Sequence, residues 1–294
     1  MRAAIEDLIS EFDFPKEAYP VILNAYDKLT ECKSSAKMLK DLLCQFEKTN
    51  DAKPLCSKDL MAEAYEAAGV HPFEGALVPI LILAVGLRQR YKEAGYSDQM
   101  YGGVISDIKY KLIECHLVKG IWGTFVGAWF SRFFEMSRFC FGKLQFETVA
   151  LNRTYEKGEI RLSPESLVIN VHIPRTGGRL DPESKDASYK AAAEFFSEKF
   201  GISPIFRCSS WLLFKKHKEI LKPGSNLLSF INDYEIINEG TYEDYKEIWR
   251  LFDTDYTGDP TTLPADSSLR RAYIELMLRG EPTGWAEGIY IFKK

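Results

Sequence analysis

Nowhere does the sequence carry Cys-x-x-Cys or His-x-x-x-His, and it has 4 histidines in all. Structural zinc sites are assembled from such pairs, so no metal is expected. Six cysteines, Cys32, Cys44, Cys56, Cys115, Cys140 and Cys208, are scattered singly, as free thiols are in a reducing compartment. Surplus positive charge is also missing. Lys and Arg number 38 against 42 Asp and Glu, a net charge of -4, and the balance holds in both halves: 16 against 19 up to Glu135, then 22 against 23. A nucleic-acid partner needs a basic face that displaces phosphate counterions, and none is expected here. Long apolar runs are absent too. The longest, Gly75 to Leu87, contains Pro79 and stops at Arg88. It falls short of the ~20 residues of a bilayer span, which predicts a buried core helix and no membrane partner. The opening MRAAIEDLISEFDF has acids at helical spacing in place of a basic segment and an apolar core, so it is not read as an export signal. The chain is expected to be cytoplasmic.

What remains is a globular composition over 294 residues, long enough for two cores of ordinary size. The patterning divides them. Residues 1–138 read as helical almost throughout: Pro15, Pro20, Pro54, Pro72 and Pro79 punctuate five to seven helices in which apolar residues recur three and four apart. The last of these is predicted from the stripe Trp122, Phe125, Val126, Trp129, Phe130, Phe133 and Met136. Gly120, Gly123 and Gly127 lie among its aromatics. Each lowers helix propensity by ~1 kcal/mol against alanine, which suggests a close approach of backbones there.

From residue 139 to 294 the period changes. Lys143 to Ala150 alternates as a half-buried strand, Glu159 to Leu162 reads as a short return strand, and Leu167 to Ile173 is a β-branched run suited to the centre of a sheet. Pro174 ends it, Arg175–Thr176–Gly177–Gly178–Arg179 makes a turn, and Ser184 to Phe200 is an amphipathic helix closed by Gly201. Strands at Ile205–Phe214, Tyr234–Ile237 and Ile289–Phe292 follow, with helices at Asn226–Asn232, Tyr242–Phe252 and Ser267–Leu278. The fold class is α/β (α+β): an all-helical domain, then a mixed sheet.

The turn after the central strand is where a phosphate would be received. Backbone amides at Thr176, Gly177, Gly178 and Arg179 face the following helix, and Arg175 and Arg179 add charge. The same pattern also suits a tight turn with no ligand. Four segments in matching order, FGKLQFE from Phe141, VHIPRTGGRL from Val171, CSSWLLF from Cys208 and SNLLSFINDYEI from Ser225, resemble a family of bacterial acyltransferases with a helical acyltransferase N-terminal domain and a GNAT-like C-terminal domain. The resemblance implies an acyl-coenzyme A donor, a splayed sheet that admits its pantetheine arm, and direct transfer to a small-molecule amine or hydroxyl acceptor. The superfamily's pyrophosphate motif is met in part by Arg175 and Gly178, while position 180 is Leu180 where glycine or alanine is usual. The tyrosine that commonly serves as general acid is replaced by Asp233, with Tyr234 as the nearest substitute.

Three side chains are candidates for the chemistry. His172, next to the turn, titrates near neutral pH and suits a general base, or else bonds a loop before Pro174. Glu147, on one strand face with Gln145 and Lys143, is a second base or the partner of Lys143 in a solvated row. Cys208 is a covalent nucleophile only if its pKa is lowered, and otherwise a buried inert thiol. The run Lys215, Lys216, His217 and Lys218 reads as a solvated face, and the acids Asp253, Asp255 and Asp259 lack the glycine and terminal glutamate of a calcium loop. The alternative to an enzyme is a non-catalytic module that keeps the sheet and binds a small molecule or a protein.

Overall fold

The structure, a computed structural model, describes residues 1–175 and 178–293. The chain divides into two compact units, Met1–Phe139 and Cys140–Lys294.

The first unit contains α1 (Arg2–Glu11), α2 (Tyr19–Glu31), α3 (Lys33–Thr49), α4 (Lys53–Cys56), α5 (Ala62–Ala67), α6 (Pro72–Glu93), α7 (Asp98–Lys119) and α8 (Ser131–Phe134). α6 is its axis. His71 caps it by accepting from Phe73 N, Pro72 occupies the first turn, and every residue from Gly75 to Ala84 is buried. It packs on α1, α2, α4, α5, α7 and α8, as an all-round apolar helix must. By length and composition alone α6 would qualify as a membrane span, and here the greater part of it is buried inside the protein. Each fully buried Leu or Ile along it contributes roughly 1.5–3 kcal/mol.

The helix predicted over Trp122–Met136 does not form. Gly120 ends α7 in the left-handed conformation, the chain then runs irregularly, and only a 3₁₀ turn at Gly127–Phe130 and the one-turn α8 follow. The glycines explain this. A Cβ on Gly123 would stand 2.4 Å from the Phe73 carbonyl, and one on Gly127 would stand 2.6 Å from the Cys56 carbonyl. Thr124 N donates to Phe73 O at 2.9 Å. Close backbone approach, expected from the glycines, is thus what replaces the helix. The aromatics are anchored one by one: Trp129 Nε1 donates to Asp107 at 2.8 Å, and Trp122 stacks on His116 at 3.7 Å.

The second unit is built on a mixed sheet of β1 (Arg138–Phe141), β2 (Leu144–Ala150), β5 (Leu167–His172), β6 (Ile205–Ser210), β7 (Glu235–Thr241) and β8 (Gly284–Ile291), in the order β1-β2-β5-β6-β8-β7. A separate hairpin pairs β3 (Tyr155–Lys157) with β4 (Ile160–Leu162). β5 and β6 are parallel neighbours joined through α9 (Pro182–Phe200), and the neighbouring pairs β2–β5, β6–β8 and β7–β8 are antiparallel. α10 (His217–Ile220), α11 (Asn226–Asn232), α12 (Trp249–Phe252) and α13 (Ser268–Leu278) complete it. One sheet face is aromatic and covered by α9: Tyr189 packs on Phe206 at 4.9 Å and on Tyr290 at 5.1 Å, and Phe146 on Phe206 at 5.7 Å. Part of the other face is an apolar cluster of Val168, Ile205 and Ile289 with Leu151 and Tyr155. The rest of that face is polar.

Three boundaries move from their predicted places. β6 stops at Ser210, whose hydroxyl accepts from Leu212 N and starts a 3₁₀ turn at Trp211–Leu213. β7 runs on to Thr241 in its ladder with β8, which leaves a 3₁₀ turn and α12 in place of a helix from Tyr242. β8 begins at Gly284, five residues before Ile289.

Candidate active site

The polar face follows from strand alternation. Antiparallel pairing sets Gln145 opposite His172 and Glu147 opposite Asn170, and the parallel pairing sets Asn170 beside Arg207. Side chains at such paired positions share a face. His172 Nε2 lies 2.6 Å from Glu147 Oε1. The Glu147 oxygen also accepts from Asn170 Nδ2 at 3.3 Å, and Asn170 Oδ1 accepts from Arg207 at 2.8 Å. Arg207 Nε donates to Glu287 Oε1 at 2.6 Å, and the other Glu287 oxygen meets Arg153 at 3.2 Å. The result is a continuous string across β2, β5, β6 and β8.

The string fixes protonation. Arg207 can only donate, so it turns the Asn170 carbonyl toward itself and the amide NH₂ toward Glu147 and His172. A carboxylate can only accept, so the short contact to Glu147 puts a hydrogen on Nε2, and in the neutral imidazole the lone pair is then on Nδ1. Asn170 Nδ2, 3.0 Å from Nε2, then converges with it on the same glutamate oxygen. Glu147 is 4% exposed and Asn170 5%, which ends the reading of Glu147 as a member of a solvated row with Lys143.

Beyond Asn170 the parallel pairing of β5 with β6 ends. The β5–β6 register consists of Ile169 with Phe206 and Asn170 with Arg207, although β5 continues through Val171 and His172 and β6 through Cys208 to Ser210. His172 thus sits on a strand end whose parallel ladder has already stopped.

On the donor side, Thr176 and Gly177 lie outside the described residues. Gly178 and Arg179 are exposed. A Cβ on Gly178 would fall 2.5 Å from Lys143 Nζ, which brings an ammonium group to the turn. Arg175 is engaged elsewhere, in an ion pair with Asp253 that Arg270 shares. The α9 N-terminus is capped from within: Asp181 accepts from Ser184 N at 2.9 Å and Ser184 Oγ at 2.7 Å. These bonds hold the Asp181 carboxyl below its ordinary range.

Tyr234 is not beside His172. It belongs to the face under α9, 5% exposed, with its hydroxyl 2.6 Å from that of Tyr189, and burial pushes it well above the ordinary tyrosine range. Asp233 pairs with the buried Lys185, and burial raises its carboxyl despite that cation. Cys208 is fully buried and pushed up to about 12 by desolvation, the inert thiol of the two readings. The basic run comes apart: Lys215 pairs with Glu239, Lys216 with Glu281, and His217 is wholly buried. His217 Nδ1 lies 3.1 Å from the Phe214 carbonyl, which makes Nε2 the acceptor of the Tyr273 hydroxyl at 2.6 Å. Burial lowers this imidazole to about 4. Among the described residues no three His, Cys, Asp or Glu side chains form a metal-holding group.

Sequence reasoning passed over Asn170, Arg207 and Glu287 as site residues. Their signal was polar side chains at interior positions of buried strands, which need partners.

The chain matches the family model of an N-acyltransferase N-terminal domain over residues 3–136 and that of a GNAT-like C-terminal domain over residues 139–290. No curated protein matches it. Solved structures of the same fold include an acyltransferase in complex with decanoyl-CoA and teicoplanin, 19% identical over 97% of this chain and 86% of that one, with a TM-score of 0.76. Another is an acyltransferase mutant in complex with octanoyl-CoA, 18% identical over 98% and 87%, with a TM-score of 0.75. A third, an acyltransferase in complex with CoA and 10C-teicoplanin, gives the same four values.

Proposed function

Because this chain belongs to the acyltransferase family that joins an N-acyltransferase N-terminal domain to a GNAT-like C-terminal domain, we propose that it moves an acyl group from a coenzyme A thioester to the amine of a small molecule. The observation that carries the reading is the 2.6 Å contact of Glu147 with His172 at the strand end where β5 and β6 cease to pair. The thioester supplies an acyl carbon open to attack. The chain's own residues do the rest. Glu147 orients the imidazole and supports its positive charge, and His172 Nδ1 takes the proton of the attacking nitrogen; as the C–N bond forms the thioester C–S bond breaks, and the coenzyme A sulfur leaves as the thiol on taking that proton from the imidazolium. Asn170, Arg207 and Glu287 hold Glu147 in place. Lys143, Gly178 and Arg179 are the described residues that would receive the donor diphosphate, with Arg175 itself balanced by Asp253.

Decanoyl-CoA, octanoyl-CoA and teicoplanin are the first substrates to test, since structures of the same fold hold them. Titration calorimetry with decanoyl-CoA is expected to show saturable binding. Thiol release with teicoplanin or a simple amine is expected to fall by about 10²–10⁴ in His172→Ala while donor affinity holds. Absence of decanoyl-CoA binding, or a His172→Ala variant as active as the parent, would overturn the reading.

A further inference from the structure

One member of the polar face has no hydrogen-bond partner among the described residues. Gln145 is 1% exposed, and neither its Nε2 nor its Oε1 finds a hydrogen bond among the described residues. Buried side-chain amides are normally satisfied, because stripping such a group of water without replacement carries a free-energy cost that folding must absorb. An orphan in the middle of a sheet is therefore a standing cost to stability, and its location bears on why it is tolerated.

Gln145 is the register partner of His172 in the β2–β5 ladder, which sets the two side chains on one face with Cβ atoms about 5 Å apart. In sequence it stands between Lys143, in the turn before β2, whose ammonium reaches Gly178 at the donor turn, and Glu147 on β2, which bonds His172. The His172 side chain retains 20% of its exposure and the Gln145 amide almost none. The imidazole is partly exposed, and the amide is buried beside it on the same sheet face.

We infer that Gln145 is a specificity-determining residue of the acyl acceptor: its amide hydrogen-bonds a second polar group, a hydroxyl or an amide, carried close to the nucleophilic amine. This rests on the acyl transfer proposed above. An amine that delivers its proton to His172 has its neighbouring atoms within reach of the paired position on β2. An amide offers one donor group and one acceptor there and does not titrate, so it can hold such a group without competing for the proton. A site built to bond a polar group discriminates against the analogue that lacks it, because its own amide is then left unpaired.

The test uses Gln145→Met, which keeps the length and removes both polar atoms, with decanoyl-CoA as donor and two acceptors of equal length, 2-aminoethanol and n-propylamine. The preference for 2-aminoethanol in kcat/KM is expected to fall about tenfold or more from wild type to Gln145→Met. The differing basicities of the amines cancel in that ratio of ratios. The KM for decanoyl-CoA and the pH profile are expected to stay put. The Gln145→Met protein is also expected to melt at or above the wild-type temperature, because no bond is lost. Equal preferences in the two proteins would overturn the inference while leaving acyl transfer intact. A wild type that neither binds decanoyl-CoA nor releases thiol would sink the transfer reading itself. If the wild type binds the donor and acylates neither amine, the melting arm decides: a lower melting temperature for Gln145→Met would mean that the amide serves packing or a buried water, and the inference falls.

Discussion

Lowering the pH from 7 to 5 should loosen the second unit through one side chain, His217. Its imidazole is wholly buried, bonded as a neutral ring between the Phe214 carbonyl and the Tyr273 hydroxyl, and held at about 4 by desolvation. In the unfolded chain a histidine titrates near 6.5. The folded value is the lower one, so between pH 4 and 6.5 the unfolded state binds more protons and stability rises with pH. The contribution is present above pH 6.5 and is lost as the pH falls toward 4. A separation of about 2.5 units corresponds to about 3 kcal/mol in full, of which about 2 kcal/mol is lost between pH 7 and pH 5. Two compact units need not unfold together, so the readout is hydrogen-exchange protection of the α13 amides, the helix that carries Tyr273. His217→Gln, neutral at both pH values, is the reference, and carboxylates that titrate in parallel cancel between the two proteins. Wild type is expected to lose about 2 kcal/mol more protection than the variant on going from pH 7 to pH 5. Equal losses, or an NMR titration of His217 centred near 6.5, would refute the reasoning.

Two further outcomes are expected. Gly123→Ala should destabilise the first unit by about 1–3 kcal/mol or more, because its Cβ meets the Phe73 backbone at 2.4 Å, whereas Gly120→Ala, with nothing within 4 Å, should cost only the about 1–2 kcal/mol of a left-handed residue; thermal melts of the two variants check the order. Glu287→Ala should cost about 3 kcal/mol, the lower end for a broken buried pair given that Arg207 and Arg153 keep some exposure. It should also slow acyl transfer, read by denaturant unfolding and thiol release together.

What could be read in advance was whatever a local period encodes. The strand at Leu144–Ala150, the β-branched centre at Leu167–His172 and the helix closed by Gly201 formed where local spacing put them. The polar face expected to leave the first strand half-buried, however, is itself buried at Gln145 and Glu147. Trp122–Met136 misled because helical spacing of aromatics is necessary for an amphipathic helix without being sufficient. The backbone contacts of Gly123 and Gly127 with Phe73 and Cys56 come from residues about 50 and 70 positions earlier. The site was half legible for the same reason. His172 and Glu147 were recognisable as chemistry-bearing side chains, yet their pairing depends on the β2–β5 register across 25 residues. Arg207 and Glu287 are 80 residues apart and meet only through β6 and β8. Tyr234 was proposed from its position near Asp233, and the turn before β7 faces it toward Tyr189.

The string from His172 through Glu147, Asn170 and Arg207 to Glu287 ties four strands together at right angles to their backbones. Each link neutralises or orients the next, so replacing one strands two neighbours in a place that water hardly reaches. Drift at these positions must therefore proceed by paired exchange, and homologous chains should differ there in concerted sets rather than one residue at a time.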